Sequence, residues 1–266
     1  PNGSDDTSRI QQAMDSGASV IYFPAGDYRI RDTIRIRGNV RHIFCSDSSF
    51  FPSWNHTFTD SANVKPVFQF DTGHGDSVLM ERFRVEFWDV YGARAVENAS
   101  GKKVALKDAN FHAAGGSYRG FWGAGKLYIE NVESGGGHSG RNFGWYFMAP
   151  QTVWARQFDP ETSQYPMVYS TNGSTIWILG LKTEVPQTVM NTDTGGRTEI
   201  LGGLIYPTAF HWGPIFTDVD STASYSFVVR GSNSYDMFLE SRKNGVIKRV
   251  HRRDAINDGV PFFRGF

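Results

Sequence analysis

The sequence predicts an all-β protein: a single-stranded, right-handed parallel β-helix, or β-solenoid. Three observations predict it. Short segments repeat every 22 to 26 residues, apolar residues alternate with variable ones inside each segment, and most segments carry a bend-tolerant residue at the same position. A period of this length in β-rich units is typical of one coil of a solenoid.

Six segments of the repeat align without gaps. They are VLMERFRVE from Val78, VALKDANFH from Val104, LYIENVESG from Leu127, VWARQFDPE from Val153, IWILGLKTE from Ile176 and TEILGGLIY from Thr198. The first, third and sixth positions are mostly apolar, which indicates strands with one face inward. The fifth position reads Arg82, Asp108, Asn131, Gln157, Gly180 and Gly202. Because Asp, Asn and Gly tolerate a left-handed backbone, we expect a bend there.

Further strands precede the aligned units, so we expect at least two strands in each coil. They are VFQF from Val67, WYFM from Trp145, MVYS from Met167 and VMNT from Val189.

Both ends of the repeat carry segments that are expected to cap it. SDDTSRIQQAMDSG places Ile10, Ala13 and Met14 at helical spacing before Gly17, which predicts a capping helix. Near the C-terminus, SYSFVVRG, YDMFLESR and VIKRVHR break the repeat and predict an antiparallel cap. We therefore expect a β-helix with its N-terminal cap over residues 1–214, and a C-terminal β cap over 215–266 packed on the same domain.

The charge composition limits the classes of binding partner that we expect. Lys and Arg number 27 and Asp and Glu number 27, so the formal net charge is zero. This balance argues against a nucleic-acid binder and against electrostatic binding to a membrane. The single cysteine, Cys45, has no partner for an internal disulfide and is expected inside. We expect a secreted or extracellular protein whose signal peptide is absent from this chain.

The opening GSDDTSRIQQAMDSGASVIYFPAGDYRI resembles the N-terminal signature of the pectate-lyase-like β-helix superfamily, an Asp-Asp-Thr helix start before a strand ending Phe-Pro-x-Gly-x-Tyr. The matching residues are Gly3, Asp5, Asp6, Thr7, Ile10, Phe23, Pro24, Gly26 and Tyr28. VWARQFDPE and IWILGLKTE resemble segments of glycoside-hydrolase-related bacterial proteins in that superfamily. The resemblance implies the β-helix fold. It leaves the reaction open, because the superfamily includes hydrolases, lyases, epimerases and phage tailspikes, and this chain lacks the catalytic motifs of polygalacturonases and typical pectate lyases.

Positions seven and nine of the units are expected to form one outward polar face. Glu161 and Glu184 share a column on adjacent coils about 4.8 Å apart, so their carboxyls approach the ~5 Å of retaining glycosidases. Asp159 is diagonal to Glu184 at about 8 Å, nearer the spacing of inverting enzymes. Repulsion raises one pKa, which suits a general acid. In the alternative interpretation, Lys182 and neighbouring arginines neutralise these carboxylates as a solvated charge ladder.

Two other groups extend this face. The glycine-rich insert ESGGGHSGRNFGW places His138 and Arg141 beside Glu133, either as loop partners of the carboxylates or as part of a plain turn. His112, on the same face as Arg84 and Tyr206, permits a lyase, which needs a base and a cation that neutralises a uronate carboxylate.

The second position of consecutive units carries Tyr128, Trp154 and Trp177, which predicts an outward aromatic ladder. Sugar rings stack on such surfaces. The alternative is a ladder covered by a loop, a cap or a partner subunit.

Together these patterns predict a carbohydrate-active protein, a glycoside hydrolase acting on a polysaccharide. The candidate catalytic residues are Glu161, Glu184, Asp159, Glu133, His138 and Arg141. The candidate substrate-binding residues are Trp154, Trp177, Tyr128, His112 and Lys182.

Two alternatives stay open: a non-catalytic glycan-binding or structural β-helix, such as a surface or tailspike-like module, and a polysaccharide lyase. The expected partner is a polysaccharide or oligosaccharide, with a homo-oligomer through a lateral face as a further partner. Nothing in the sequence requires a metal ion or an organic cofactor.

Overall fold

The computed structural model describes residues 5–71, 76–87, 89–113, 115–121, 123–136, 144–148, 150–163, 165–231, 235–255 and 259–265. Within these residues the protein is all-β, with one short α-helix, α1 (Thr7–Met14), and a 3-10 turn at Arg252–Asp254. None of the helices described is long and apolar enough to cross a membrane.

The strands form two sheets. The first contains β1 (Val20–Phe23), β2 (Gly26–Ile30), β4 (His42–Pro52), β6 (Ser77–Phe87), β8 (Lys103–Ala113), β10 (Leu127–Gly136), β12 (Thr152–Thr162), β14 (Thr175–Thr183), β16 (Arg197–Ile205), β18 (Thr222–Val229) and β21 (Gly259–Arg264). The second contains β3 (Ile34–Ile36), β5 (Lys65–Phe70), β7 (Ala93–Asn98), β9 (Tyr118–Gly120), β11 (Trp145–Phe147), β13 (Val168–Ser170), β15 (Met190–Asp193), β17 (His211–Val219), β19 (Tyr235–Lys243) and β20 (Val246–His251). Successive coils pair in parallel, so the chain winds as a β-solenoid of about 8 turns.

The predicted register of the repeat is confirmed. The first positions of the aligned segments face one another on successive coils: Val78, Val104, Leu127, Val153, Ile176 and Thr198. The two-strand coil is confirmed as well, since the segments that precede the units form β5, β11, β13 and β15 in the second sheet.

The bend at the fifth position is also confirmed, because φ is positive in every aligned unit. The values are 61° at Arg82, 48° at Asp108, 52° at Asn131, 51° at Gln157, 80° at Gly180 and 82° at Gly202. Each long strand of the first sheet therefore has two segments. Positions two and four point outward before the bend, and positions seven and nine point outward on a second face after it.

The inward positions build a core rich in aromatic rings. Phe111 and Phe158 both pack against Trp145, with ring centroids 5.8 Å and 4.9 Å away. The buried indole is satisfied, since Trp145 Nε1 donates a hydrogen bond to Ser134 Oγ at 2.9 Å. Cys45 is buried, as expected, and its burial raises the pKa of the thiol to about 12.

The N-terminal cap is the predicted helix: α1 buries Ile10 and Met14 in the core. The C-terminal antiparallel cap is confirmed, but it is smaller than expected. β18 and β19, expected to lie in the antiparallel cap, pair in parallel with β16 and β17, so the solenoid continues past residue 214. Only β20 and β21 are antiparallel.

The break in the sequence repeat at β18 has a local cause. The register of β16 and β18 shifts between Leu201 and Leu204, where Gly202 and Gly203 lie opposite the single residue Phe227. β18 lacks the bend residue, so the alignment fails although the pairing continues.

Candidate functional site

After the bend, polar side chains at positions seven and nine of the units form a row along the solenoid, here called the polar face. Its members are Glu86, Asn110, His112, Glu133, Asp159, Glu161, Lys182, Glu184 and Tyr206. The strand register sets their order, since Glu133 lies opposite Asp159 and Gly135 lies opposite Glu161 on the next coil. All nine side chains are partly exposed.

Lys182 occupies the centre of a cluster of three carboxylates. Its Nζ lies 3.2 Å from Asp159 Oδ2 and 2.6 Å from Glu184 Oε1, and it also donates a hydrogen bond to Glu161. The Tyr206 hydroxyl donates a second hydrogen bond to Glu184. The neutralising cation of the alternative interpretation is therefore present. The Lys182 cluster comprises these five residues.

The carboxyls of the Lys182 cluster differ in protonation. Burial, followed by the charge of Glu161, raises the pKa of Asp159 to about 7. Hydrogen bonds from Lys182 and Tyr206 hold the pKa of Glu184 below its usual value. Burial opposes the charge of Lys182, but its hydrogen bonds to Glu161 and Glu184 raise the pKa of the amine, which stays charged. A carboxyl that titrates near neutrality thus lies beside one that stays ionised.

One oxygen of the buried carboxyl is left without a partner. Asp159 Oδ1 is enclosed and makes no hydrogen bond among the described residues, whereas Oδ2 faces Lys182. An unsatisfied buried oxygen penalises the ionised form of the carboxyl, which agrees with the raised pKa of Asp159.

His112 forms a second cluster on the same face. Its Nδ1 lies 2.8 Å from Glu86 Oε2 and its Nε2 lies 3.7 Å from Glu133 Oε1. The Glu133 carboxylate, which also accepts a hydrogen bond from Asn110, is the main cause of a raised pKa at His112, and His112 in turn lowers the pKa of Glu133. A Cβ at Gly135 would lie 3.1 Å from His112 Cδ2, so glycine makes room for the imidazole.

Of the residues that permit a lyase, Arg84 lies on the coil next to His112, but Tyr206 lies apart from both. Arg84 Nη2 lies 3.2 Å from Asp47 Oδ1, and Tyr206 contacts Glu184 at the other end of the polar face from His112. His138 and Arg141 lie outside the described residues.

Tyr128, Trp154 and Trp177 form an outward stack on three coils, here called the aromatic ladder. Ring centroids are 5.0 Å apart between Tyr128 and Trp154, and 5.4 Å apart between Trp154 and Trp177, with interplanar angles of 10° and 16°. Because the rings cover one another face to face, a ligand ring can stack only at the ends of the ladder. Trp177 is 37% exposed at one end.

The bend separates the two predicted parts of the site. Trp154 lies before the bend at Gln157, and Asp159 lies after it on the second face. The candidate sugar platforms and the candidate carboxylates therefore line different faces of the solenoid.

Sequence reasoning missed an exposed aromatic pair in the segment that follows Tyr206. The segment after Tyr206 is held beside Glu184 by a hydrogen bond from Thr208 N to Glu184 O at 2.8 Å. It leads to Phe210 and Trp212, whose ring centroids are 4.8 Å apart and whose side chains are 48% and 78% exposed. The signal available in the sequence was their position directly after a coil of the polar face.

Sequence reasoning also missed a cavity of about 330 Å³ at the end of the aromatic ladder. Its walls include Trp177, Arg197, Glu199, Ser224, Phe262 and Arg264. The drop in side-chain size from Trp177 to Glu199 to Ser224 along one column could have indicated it. The wall that β21 contributes could not have been predicted, since that strand lies outside the repeat.

No protein-family model, curated protein or solved structure matches this chain. The pectate-lyase-like resemblance therefore rests on the opening motif and the two later segments of the sequence alone. Among the described residues, no group of three or more His, Cys, Asp or Glu side chains is arranged to hold a metal ion.

Proposed function

We propose that this chain is a glycoside hydrolase that acts on a polysaccharide through the Lys182 cluster. The observation that carries the proposal is the contrast between Asp159, whose pKa is raised to about 7, and Glu184, whose pKa is lowered. Adjacent carboxyls with diverging pKa values are the arrangement that glycosidases use for a general acid and an ionised carboxylate.

The spacing favours retention of configuration. Asp159 Oδ2 and Glu184 Oε1 contact the same Nζ at 3.2 Å and 2.6 Å, so they lie at most about 6 Å apart, near the ~5–5.5 Å of retaining enzymes. Asp159 would protonate the glycosidic oxygen while Glu184 attacks C1 and the leaving group departs. Asp159 would then take a proton from the water that hydrolyses the glycosyl–enzyme ester.

The neighbouring side chains support Asp159 and Glu184. Burial and then the charge of Glu161 favour the protonated form of Asp159, and Lys182 keeps Glu184 ionised. Phe210 and Trp212, reached through the segment bonded to Glu184, offer exposed ring faces for the adjoining sugars.

A panel of neutral, uronate-containing and sulfated polysaccharides tests the proposal, with new reducing ends as the readout. Asp159→Asn and Glu184→Gln should each lower the rate by about 10²–10⁴-fold. Glu130→Gln, an exposed carboxylate paired with Arg156 before the bend, is the matched control and should keep parental activity. Full activity in both cluster variants would overturn the proposal. Reducing ends accompanied by the ultraviolet absorbance of an unsaturated uronate would indicate a lyase instead.

A second candidate is a non-catalytic glycan-binding β-helix. It is favoured by Lys182, which occupies the space between the carboxylates, and by the exposed end of the aromatic ladder. Binding to a member of the panel without any product would replace the hydrolase with this function.

A further inference from the structure

The aromatic ladder ends where the side chains beside it become small and charged. Trp177 is followed in its column by Glu199 and then by Ser224 on the next two coils. Among the described residues, Trp154 is the only ring stacked on Trp177, so the far face of that indole, which lines the cavity, carries no second ring. At about 330 Å³, the cavity falls at the small end of ligand sites, which suits a single ring.

The charges of the cavity are unpaired. Arg197 enters from β16, and Arg264 enters from β21, which runs antiparallel to β18. In the described part of the chain, neither guanidinium nor the Glu199 carboxylate makes an ion pair or a side-chain hydrogen bond. Two guanidiniums against one carboxylate leave the walls with a net positive charge.

We propose that this cavity binds an anionic sugar residue, one that carries a carboxylate or a sulfate. The sugar ring stacks on the open face of Trp177, and its anionic group lies between Arg197 and Arg264. Guanidinium groups bind such oxyanions with paired, charge-assisted hydrogen bonds. The Glu199 carboxylate then accepts hydrogen bonds from the sugar hydroxyls, and the Ser224 hydroxyl can donate a hydrogen bond to them or accept one from them.

This site is independent of the proposed hydrolase. Trp177 and Glu199 occupy position two, before the bend, whereas the Lys182 cluster lies after it. A bound anionic sugar would anchor a chain on the first face of the solenoid, whether or not the second face cleaves it.

Calorimetric titration of the whole chain with three oligosaccharides of equal length tests the proposal. One carries uronates, one carries sulfates and one is neutral. We expect binding of at least one anionic ligand, weakened by added salt, and at least tenfold weaker binding of the neutral one. The two anionic ligands distinguish a carboxylate site from a sulfate site.

Arg197→Gln and Arg264→Gln should each weaken anionic binding by about 10- to 100-fold. Trp177→Ala should weaken it as well, and Trp177→Phe, which keeps a ring, should restore part of the affinity. Arg156→Gln, an exposed arginine paired with Glu130 on the same face, is the control. Glu184→Gln should leave the affinity unchanged, so failure of the hydrolase and failure of this site are distinguishable. Equal binding of neutral and anionic ligands, no binding at all, or an equal loss in Arg156→Gln would overturn the proposal.

Discussion

Lys182 Nζ lies 2.6 Å from Glu184 Oε1, two residues further along the chain. The same ammonium reaches Asp159 and Glu161 on the preceding coil. One cation therefore joins two coils of the solenoid and contacts three carboxyls, one of which, Asp159, has a pKa raised to about 7 by burial.

Replacing Lys182 with Met leaves these carboxylates without a cation. Their mutual repulsion should lower the free energy of unfolding by about 1–2 kcal/mol near pH 8, and the loss should be smaller near pH 4, where Asp159 is protonated and no longer adds to the repulsion. Urea denaturation at both pH values measures the effect. Lys107→Met is the control, because its amine contacts Glu81 and Asp108 only at 3.8 Å and 4.0 Å. An equal loss at both pH values would contradict the electrostatic explanation.

Asp159→Asn should flatten the dependence of stability on pH. The folded pKa of Asp159 is raised from 3.8 to about 7, so the folded state binds more protons between these values, and the contribution of this carboxyl to stability falls as the pH rises through that window. Relative to the parent, the variant should gain about 2–4 kcal/mol between pH 4 and pH 8. Guanidinium denaturation across this range is the measurement, and two parallel pH profiles would rule the assignment out.

Glu133→Gln should lower the pKa of His112, because Glu133 is the main cause of the raised value. The folded pKa of His112 lies above 6.5, so its contribution to stability is complete below that value and is lost as the pH rises through the folded pKa. Proton NMR of the imidazole during a pH titration gives the pKa directly. Glu130→Gln on the same strand should leave it unchanged, and a similar shift in both variants would argue against a direct contact.

Gly202→Ala measures the cost of a side chain at the left-handed bend without any steric clash. A methyl group there would meet no atom within 4 Å, but φ is 82°, so the substitution should cost about 1–2 kcal/mol through the backbone alone. Gly101→Ala, whose new Cβ would find its nearest atom at 3.9 Å and whose backbone is outside the left-handed region, should cost less. Thermal unfolding of the two variants gives the comparison. Equal melting temperatures would mean that the bend tolerates a side chain at this coil.

The sequence predicted the strand register and the columns of side chains, because both follow from the length of the repeat. Apolar positions facing inward fix the register, so the columns that contain Glu161, Lys182 and Trp177 followed directly from the alignment. Side-chain packing was not accessible in this way. The indoles of Trp154 and Trp177 turned out to cover each other, whereas the contact of Lys182 with its carboxylates was one of two arrangements that the sequence left open.

The remaining errors arose where the repeat ends. β18 lost one residue at the bend, so its parallel pairing was hidden from a gapless alignment. β21 returns in the opposite direction and brings Phe262 and Arg264 to the cavity beside Trp177, a contact that no periodicity encodes.

The winding of the chain also bears on how it folds. Contacts between coils join residues one coil apart in sequence, such as the 23 positions between Asn110 and Glu133 or the 26 between Glu86 and His112. Relative contact order is therefore low for an all-β protein, near the ~0.07–0.12 of helical bundles. Folding that starts at one coil and extends to its neighbours would build this molecule without the slow search for distant strand partners that a β-sandwich of the same length requires.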